Sequence, residues 1–230
     1  MAGSFTAENK ILPGAYLNFK TNAPLSITPG ERGIVVLLQE MSVGEVGDTY
    51  TITATDSSQY PVAATQADKL LVNEALKGAK TVIVYNLGTE HDAEVITGAL
   101  AELKTMVFNT LAYPYSGATY DANKLTIATW IEAMREDEGI KVQGVLANYV
   151  ADSETIINVT HGIKLDNETS LTAAQVTAWV AGVTAGATIS QSNTGKKYVG
   201  AIDVVPRMTK TEMETAITGG KFIFKVDSVQ

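Results

Sequence analysis

The stretch TVIVYNLGTEHDAEVITGALAELK (residues 81–104) joins a short apolar run to a segment with helical periodicity. TVIVY is typical of a strand buried on both faces. Asp92 can cap the following helix, whose apolar residues recur along one stripe. A strand at 107–113, a helix at 121–138 and a strand at 142–147 continue the order. This β-α-β-α-β alternation requires crossover connections, so it predicts an α/β fold with a mostly parallel central sheet and helices on both faces.

The flanking segments extend the same pattern. GIVVLL (33–38) predicts a core strand, and Thr65 can cap a helix over 65–77. Thr172 and Gln175 form a capping box for a helix over 172–187, whose small residues allow close backbone approach. The remaining expectations are a strand at 49–55, a hairpin at 155–165 around His161-Gly162, a strand at 201–205, a helix at 209–218 and a strand at 221–226.

The sequence pattern at the two ends of the chain predicts strands without a partner, at KILPGAYLNFK (10–20) and KFIFKVDSVQ (221–230). Prolines 13, 24 and 29 disfavour helix, so residues 1–30 are predicted to form an extended N-terminal arm and residues 31–230 the core domain. Extended apolar segments can add to an open sheet edge in another subunit. The residues expected to make such subunit contacts are Tyr16, Leu17, Phe19, Phe222 and Phe224.

Composition argues against several classes of function. The formal net charge is −8, which opposes the phosphate neutralisation that nucleic-acid binding needs. With no cysteine there is no disulfide framework and no thiolate ligand. No run approaches the length of a membrane span, and the N-terminus does not resemble a signal peptide. We therefore expect a protein that is made and assembled in the cytoplasm, with no nucleic-acid partner and no membrane insertion.

The residues of the chain indicate little catalytic chemistry. The chain has two histidines, and His91 is interpreted as a solvated residue before a helix and His161 as a turn residue, rather than as catalytic bases. Ser116 and Ser170 lack the G-x-S-x-G setting of a nucleophile elbow. The run Glu136-Asp137-Glu138 reads as a solvated helix end, and Tyr113-Pro114-Tyr115 as a packed turn more readily than a ligand crevice. No phosphate-binding motif is present, so no catalytic, cofactor-binding or metal-binding residues are expected.

Several segments, in order, resemble the contractile-tail sheath proteins of phages, defective prophages and R-type bacteriocins of Gram-positive bacteria. They are PGAYLNF (13–19), GERGIVVLL (30–38), EALKGAKTVIVYNL (74–87), FNTLAYP (108–114), EGIKVQGVLANY (138–149), LTAAQVTAWVAGVTAGA (171–187) and GAIDVVPRMTKTEMETAITGGKFIF (200–224). The resemblance covers nearly the whole chain, and it does not distinguish a phage from a bacteriocin.

The resemblance implies a core of subtilisin-like topology without a catalytic triad. It also implies a structural subunit that polymerises with its own copies around a tail tube, meets baseplate and terminator components, and contracts to drive the tube through a bacterial envelope. Relatives of this kind carry a β-rich insertion, which would fall near 88–92 here, and a C-terminal domain that receives arms. Both are expected to be missing, naturally or by trimming, and the chain alone is then expected to be monomeric.

Two other interpretations stay open at this point. One is an enzyme of the α/β hydrolase type, and the other is a tail-associated adaptor or binding module. The particle implied by the resemblance is assembled in the bacterial cytoplasm and carries the sheath in its tail after release.

Overall fold

Seven strands form the central sheet of the computed structural model, within the residues that it describes: 32–55, 58–150, 153–188 and 190–226. Their order across the sheet is β10-β6-β5-β4-β1-β3-β2, and all neighbours are parallel except β2, which runs antiparallel to β3. The mostly parallel central sheet is thus confirmed. The strands are β1 Ile34–Gln39, β2 Thr49–Ile52, β3 Thr81–Asn86, β4 Thr110–Tyr113, β5 Gln143–Ala147, β6 Ile156–Val159, β7 Gly162–Leu165, β8 Ser170–Leu171, β9 Ala201–Val205 and β10 Lys221–Phe222.

Helices cover both faces of this sheet, as the alternation predicts. Side chains of a strand point to opposite faces in turn. Val35 and Leu37 therefore join one apolar cluster, with α1 and α4, whereas Val36 and Leu38 join another, with α2 and α3. The helices are α1 Gln66–Leu76, α2 Ala93–Leu103, α3 Asp121–Glu136, α4 Ala173–Ala185 and α5 Lys210–Thr218.

The predicted caps are present. Thr65 and Thr172 each form a capping box, with Asp68 and Gln175 respectively. Asp92 accepts hydrogen bonds from the backbone N–H groups of Glu94 and Val95. Each cap satisfies helix N–H groups that lack an intrahelical partner, so these three helices begin where the sequence indicates.

Helices α1 and α4 approach one another closely because glycine lines their contact. A Cβ added to Gly78 would lie 2.5 Å from the backbone nitrogen of Val183. A Cβ on Gly182 would meet the carbonyl of Ala75, and one on Gly186 would meet the carbonyl of Gly78. The small residues noted in the sequence thus place backbone against backbone, and the apolar α4 is almost wholly buried.

The expected hairpin at 155–165 is wrong. Strand β6 pairs in parallel with β5 and belongs to the central sheet. Strand β7 pairs antiparallel with β8 and β9 in a separate three-stranded sheet. The two apolar runs are adjacent in sequence, but each finds longer-range partners that bury it, and periodicity carries no information on that choice.

Candidate functional site

The crevice where ligands usually bind in open α/β sheets lies beside strands β1 and β4. Strand β3 flanks β1 on one side and β4 flanks it on the other, so the chain reverses its progress across the sheet at this pair. Ligand sites form outside the carboxyl ends of the strands at such a switch point. Glu40 directly follows β1 and Tyr113 ends β4, so both residues lie at the edge of the sheet where a ligand site would form.

His91 lies at the centre of this edge with a side chain that is 0% exposed. Its Nδ1 is 2.7 Å from Oε1 of Glu40, and its Nε2 is 2.6 Å from the hydroxyl of Tyr113. The interpretation of His91 as a solvated residue before a helix is therefore wrong. The cause is tertiary, because β1 and β4 bring both partners from distant parts of the sequence.

A carboxylate, an imidazole and a hydroxyl thus stand in one hydrogen-bonded line, the order in which hydrolases arrange acid, base and nucleophile. The hydroxyl here belongs to Tyr113, which is fully buried and also accepts a hydrogen bond from Asn123 Nδ2 at 3.2 Å. Burial raises the pKa of Tyr113, so its phenolate form is disfavoured. This hydrogen-bonded arrangement therefore presents no exposed nucleophile to a substrate.

Aromatic rings fill the rest of the crevice. The His91 ring stacks on Tyr120 with centroids 5.4 Å apart and lies 4.7 Å from the ring of Tyr115. The hydroxyl of Tyr115 accepts a hydrogen bond of 2.6 Å from the backbone N–H of Glu40. Burial raises the pKa of Tyr115 as well. Tyr113-Pro114-Tyr115 is accordingly a packed element, and the chain occupies its own switch-point crevice.

The other residues considered as catalytic do not join this cluster. Ser116 Oγ accepts a hydrogen bond of 3.3 Å from Asn148, and Ser170 lies in β8. Within the described part of the chain, no group of three or more His, Cys, Asp or Glu residues is placed to hold a metal ion. Nor is any helix of that part long and apolar enough to cross a membrane.

His161 connects β6 to β7 and is 0% exposed, so the expectation of an ordinary turn residue understates its burial. Its Nδ1 lies 3.3 Å from Oγ1 of Thr160, whereas its Nε2 is buried without a hydrogen-bond partner. Burial, together with the positive charge of Lys221, lowers the pKa of His161. The folded state therefore holds this imidazole neutral.

We expect acid to destabilise the fold through His161. Because the pKa of the folded state lies below the ordinary value of 6.5, the unfolded chain binds the proton more tightly. Stability is then retained above about pH 6.5 and falls as the pH drops below it, by at most about 1.4 kcal/mol per pH unit. Urea unfolding of the wild type and of His161→Asn at pH 7.5 and 5.5 measures this loss.

His161→Asn keeps a polar group near Thr160 but cannot titrate, so its stability should change less between the two pH values. Hydrogen bonds from Ser42 and Thr65 outweigh the burial of Asp68 and hold its pKa below the usual range, so that carboxyl titrates outside this window. An equal loss in both proteins would show that His161 does not carry the acid sensitivity.

The end of the described chain packs on the molecule's own core through one edge of its last strand. Phe222 lies in β10, which pairs in parallel with β6. Phe224 packs with ring centroids 5.7 Å from Trp179 and 5.9 Å from Tyr198. These phenylalanines are partly buried within this chain, because β6 and α4 offer an apolar surface. Tyr16, Leu17 and Phe19 lie outside the described residues.

Sequence reasoning missed the cluster that receives this segment. Tyr198 is buried, stacks on Trp179 with centroids 4.2 Å apart and planes at 6°, and donates a 2.6 Å hydrogen bond to Oε2 of Glu74. Lys77 Nζ lies 2.7 Å from the same carboxylate oxygen. Glu74 and Tyr198 are 124 positions apart, so only the bulk of Tyr198 and Trp179 could have marked them as core residues.

Two family models match this chain, in adjoining segments. The model of the phage tail sheath protein central domain matches residues 89–230, and that of the tail sheath protein Gp18 domain III N-terminal region matches residues 32–87. The Phage-like element PBSX protein XkdK of Bacillus subtilis is 39% identical over 78% of this chain and 38% of its own length. The tail sheath protein of Clostridium phage phiCD119 is 31% identical over 66% of this chain and 41% of its own length.

The fold is also that of solved sheath proteins. The crystal structure of the sheath tail protein from Desulfitobacterium hafniense superposes with a TM-score of 0.78 at 30% identity, covering 93% of this chain and 72% of that one. This chain spans about two fifths of the length of the two curated relatives described above. Since one family model matches more than half of the chain and a second the segment before it, the chain belongs to the phage tail sheath protein family, whose members are structural proteins rather than enzymes.

Proposed function

We propose that this chain is the central part of a contractile tail sheath subunit, which polymerises around a tail tube and contracts to drive the tube through a bacterial envelope. The observation that carries the proposal is the match of two tail sheath models to residues 32–87 and 89–230. The filled crevice around His91 supports it, because it leaves no substrate site at the edge where an α/β enzyme would have one.

The partners of such a subunit are further copies of itself, the tail tube protein, and baseplate and terminator components. Assembly takes place in the bacterial cytoplasm, and the sheath belongs to the tail of the released phage, defective prophage or bacteriocin particle. The similarity to XkdK of a phage-like element is consistent with any of these sources. The chain alone is proposed to be monomeric.

The proposed organisation is an arm over residues 1–30 and a core over 31–230. Longer relatives are proposed to carry their β-rich insertion at the loop from Gly88 to Asp92, and a further C-terminal domain. The two family models meet between residues 87 and 89, which supports an insertion point there. In this chain the loop joins β3 to α2 within a few residues and is held by the buried His91.

The proposed subunit contacts are made by strand addition. Residues Tyr16, Leu17 and Phe19 of the arm would pair with a sheet edge of a neighbouring subunit. Strands β2 and β10 end the central sheet among the described residues, so their outer edges are candidates to receive a strand. Phe222 and Phe224 then act indirectly. Phe224 packs on Trp179 and Tyr198, and Phe222 packs on Phe224, which holds β10 in place.

Electron microscopy of the full-length protein tests the proposal. We expect wild-type protein to form tubes and to occur in many copies along native particles, and deletion of residues 1–20 to abolish tubes because the donated strand is lost. Circular dichroism should show that the core of the deletion variant still folds. Normal tubes after the deletion would show that the arm is not required for assembly. One or a few copies per particle would indicate an adaptor instead of a sheath.

A further inference from the structure

Thr160 and His161 form the connection between the two sheets of the described chain. They join β6 of the central sheet to β7 of the three-stranded sheet. Strand β10 lies beside this connection, because Phe222 is in register with Val159, the last residue of β6. The buried His161 thus lies where the two sheets and the last strand meet.

Thr160 couples His161 to β10 through hydrogen bonds. Its backbone N–H donates to the carbonyl oxygen of Phe222 at 3.4 Å, and its hydroxyl donates to the same oxygen at 3.5 Å. The hydroxyl oxygen also lies 3.3 Å from Nδ1 of His161. A hydroxyl has one proton to donate, so it accepts from Nδ1 while it donates to Phe222. This arrangement places the proton of the neutral ring on Nδ1, and Nε2 is then the atom that acid would protonate.

Nε2 of His161 has no acceptor beside it. The atom is buried and finds no hydrogen-bond partner among the described residues. An N–H formed there would be left unpaired, and a buried donor without an acceptor loses the full free energy of its hydration. The charged ring therefore requires water at Nε2. Because His161 is fully buried, water can reach this atom only if a neighbouring element moves.

Strand β10 is held to the central sheet by the shortest pairing in that sheet. It pairs with β6 through two residues, whereas β6 pairs with β5 through four. Both hydrogen bonds from Thr160 to Phe222 are at the long end of the usual distances. Short edge elements open more readily than central strands, because less burial and fewer hydrogen bonds oppose the opening. The neighbour of His161 that is easiest to move is therefore β10.

A hinge and an anchor limit how far β10 can move. Gly220 precedes the strand with a φ of +70°, and there is open space where a Cβ would lie. Glycine adopts other conformations there without strain, so β10 can swing without moving α5. On the other side, Phe224 packs on Trp179 and Tyr198. Residues 221–223, here called the strap, can thus lift from β6 while the rest of the fold stays in place.

The charges near His161 favour its neutral form. Burial, and then the positive charge of Lys221 in the strap, lower the pKa of His161. Strands β5, β6 and β8 and helix α4 contain no charged residue. Two carboxylates of the other neighbouring elements are engaged elsewhere, since Asp203 binds Arg207 and Glu212 caps α5. The charged residues of those elements are Lys164 in β7, Asp203 in β9, Lys210, Glu212 and Glu214 in α5, and Lys221 in β10.

We propose that protonation of His161 releases the strap from β6, which makes this edge of the central sheet an acid-sensitive switch. The closed form disfavours the charged ring, so the strap stays closed above pH 6.5, the ordinary pKa of histidine, and opens more often as the pH falls below it. Release uncovers the edge of β6, whose backbone groups can then bond another strand. Only this consequence rests on the proposed function, in which the arm of a neighbouring subunit would find an additional receiving edge in acid.

Hydrogen exchange of single amides, followed by NMR on the chain as it is, tests the switch. The amide of Thr160 reports the strap, because it donates to Phe222, and the amide of Asn148 reports the pairing of β5 with β6, because it donates to Val159. Each rate, divided by the intrinsic rate at that pH, gives an opening constant. For Thr160 we expect this constant to be about tenfold larger at pH 5.5 than at pH 7.5. It should hardly change in low urea, since lifting the strap exposes little surface, whereas the Asn148 constant should rise with urea.

Three variants assign the effect to its residues. His161→Asn cannot titrate, so its Thr160 opening constant should be the same at both pH values. Lys221→Gln removes the repelling charge from the strap and should show less than the wild-type change. Lys225→Gln is the matched control, since it removes a charge from an exposed lysine of the same segment, and it should show the full wild-type change.

The proposal is overturned if the Thr160 opening constant of the wild type is independent of pH, if it keeps its pH dependence in His161→Asn, or if it rises with urea as that of Asn148 does. Electron microscopy of full-length protein at pH 7.5 tests the sheath function separately. The absence of tubes there would count against the sheath function and leave the exchange result unaffected.

Discussion

Gly182→Ala is expected to lower the free energy of unfolding by about 3 kcal/mol, at the upper end of the usual cost of overpacking. The new methyl group would meet the carbonyl of Ala75. That oxygen accepts hydrogen bonds from the backbone N–H groups of Gly78 and Ala79, which close the end of α1. Either the two helices would have to separate or α1 would have to lose its last turn. Both adjustments cost free energy, because α4 is packed on all sides.

Gly98→Ala is the matched control for this substitution. Gly98 lies on the exposed side of α2, and a Cβ added there would have nothing within 4 Å. Alanine should stabilise that helix by about 0.5–1 kcal/mol, because glycine loses more conformational freedom on folding. Urea unfolding of both variants measures the difference. If Gly182→Ala proved as harmless as Gly98→Ala, the close approach of α1 and α4 would be wrong.

The alternation of apolar runs was enough to predict the central sheet. Strands such as 81–86 are apolar on both faces, which only a sheet covered on both sides accommodates. Capping residues fixed the helix starts, because a hydroxyl or carboxylate acts on N–H groups two or three positions away. Pairing at 155–165 could not be predicted in the same way. Burial of β6 and β7 depends on partners from distant segments, and their own sequences fit either arrangement.

The filled crevice was harder to foresee than the fold. The sequence shows one histidine before a helix and tyrosines after a strand, and each alone has an ordinary explanation. Only the strand order brings Glu40, 51 positions away, within 2.7 Å of His91. The hydrogen bond between Tyr198 and Glu74 was equally hard to predict, because the two residues are distant in sequence. Contacts between side chains follow from topology, whereas sequence periodicity reports only which face of an element is buried.

Trp179→Ala is expected to destabilise the fold by about 3–5 kcal/mol, the usual cost of removing a large buried aromatic side chain. Trp179 is 3% exposed and supports both Tyr198 and Phe224. Its loss leaves a cavity where the segment around 198–226 meets α4, so that segment should loosen first. Hydrogen exchange should accelerate there well before the central strands lose protection.

Two variants separate the parts of this effect. Tyr198→Phe keeps the ring stack and removes only the hydrogen bond to Glu74, which retains Lys77 as a partner, so a loss of about 1–3 kcal/mol is expected.

Trp130→Ala is the control, since Trp130 is the chain's other tryptophan, is only partly buried and stacks on Phe108 at 6.4 Å. It should cost less than Trp179→Ala and leave exchange in 198–226 unchanged. Equal effects of the two tryptophan substitutions would mean that Trp179 does not anchor the C-terminal segment, and β10 would then have to be held by its pairing with β6 alone.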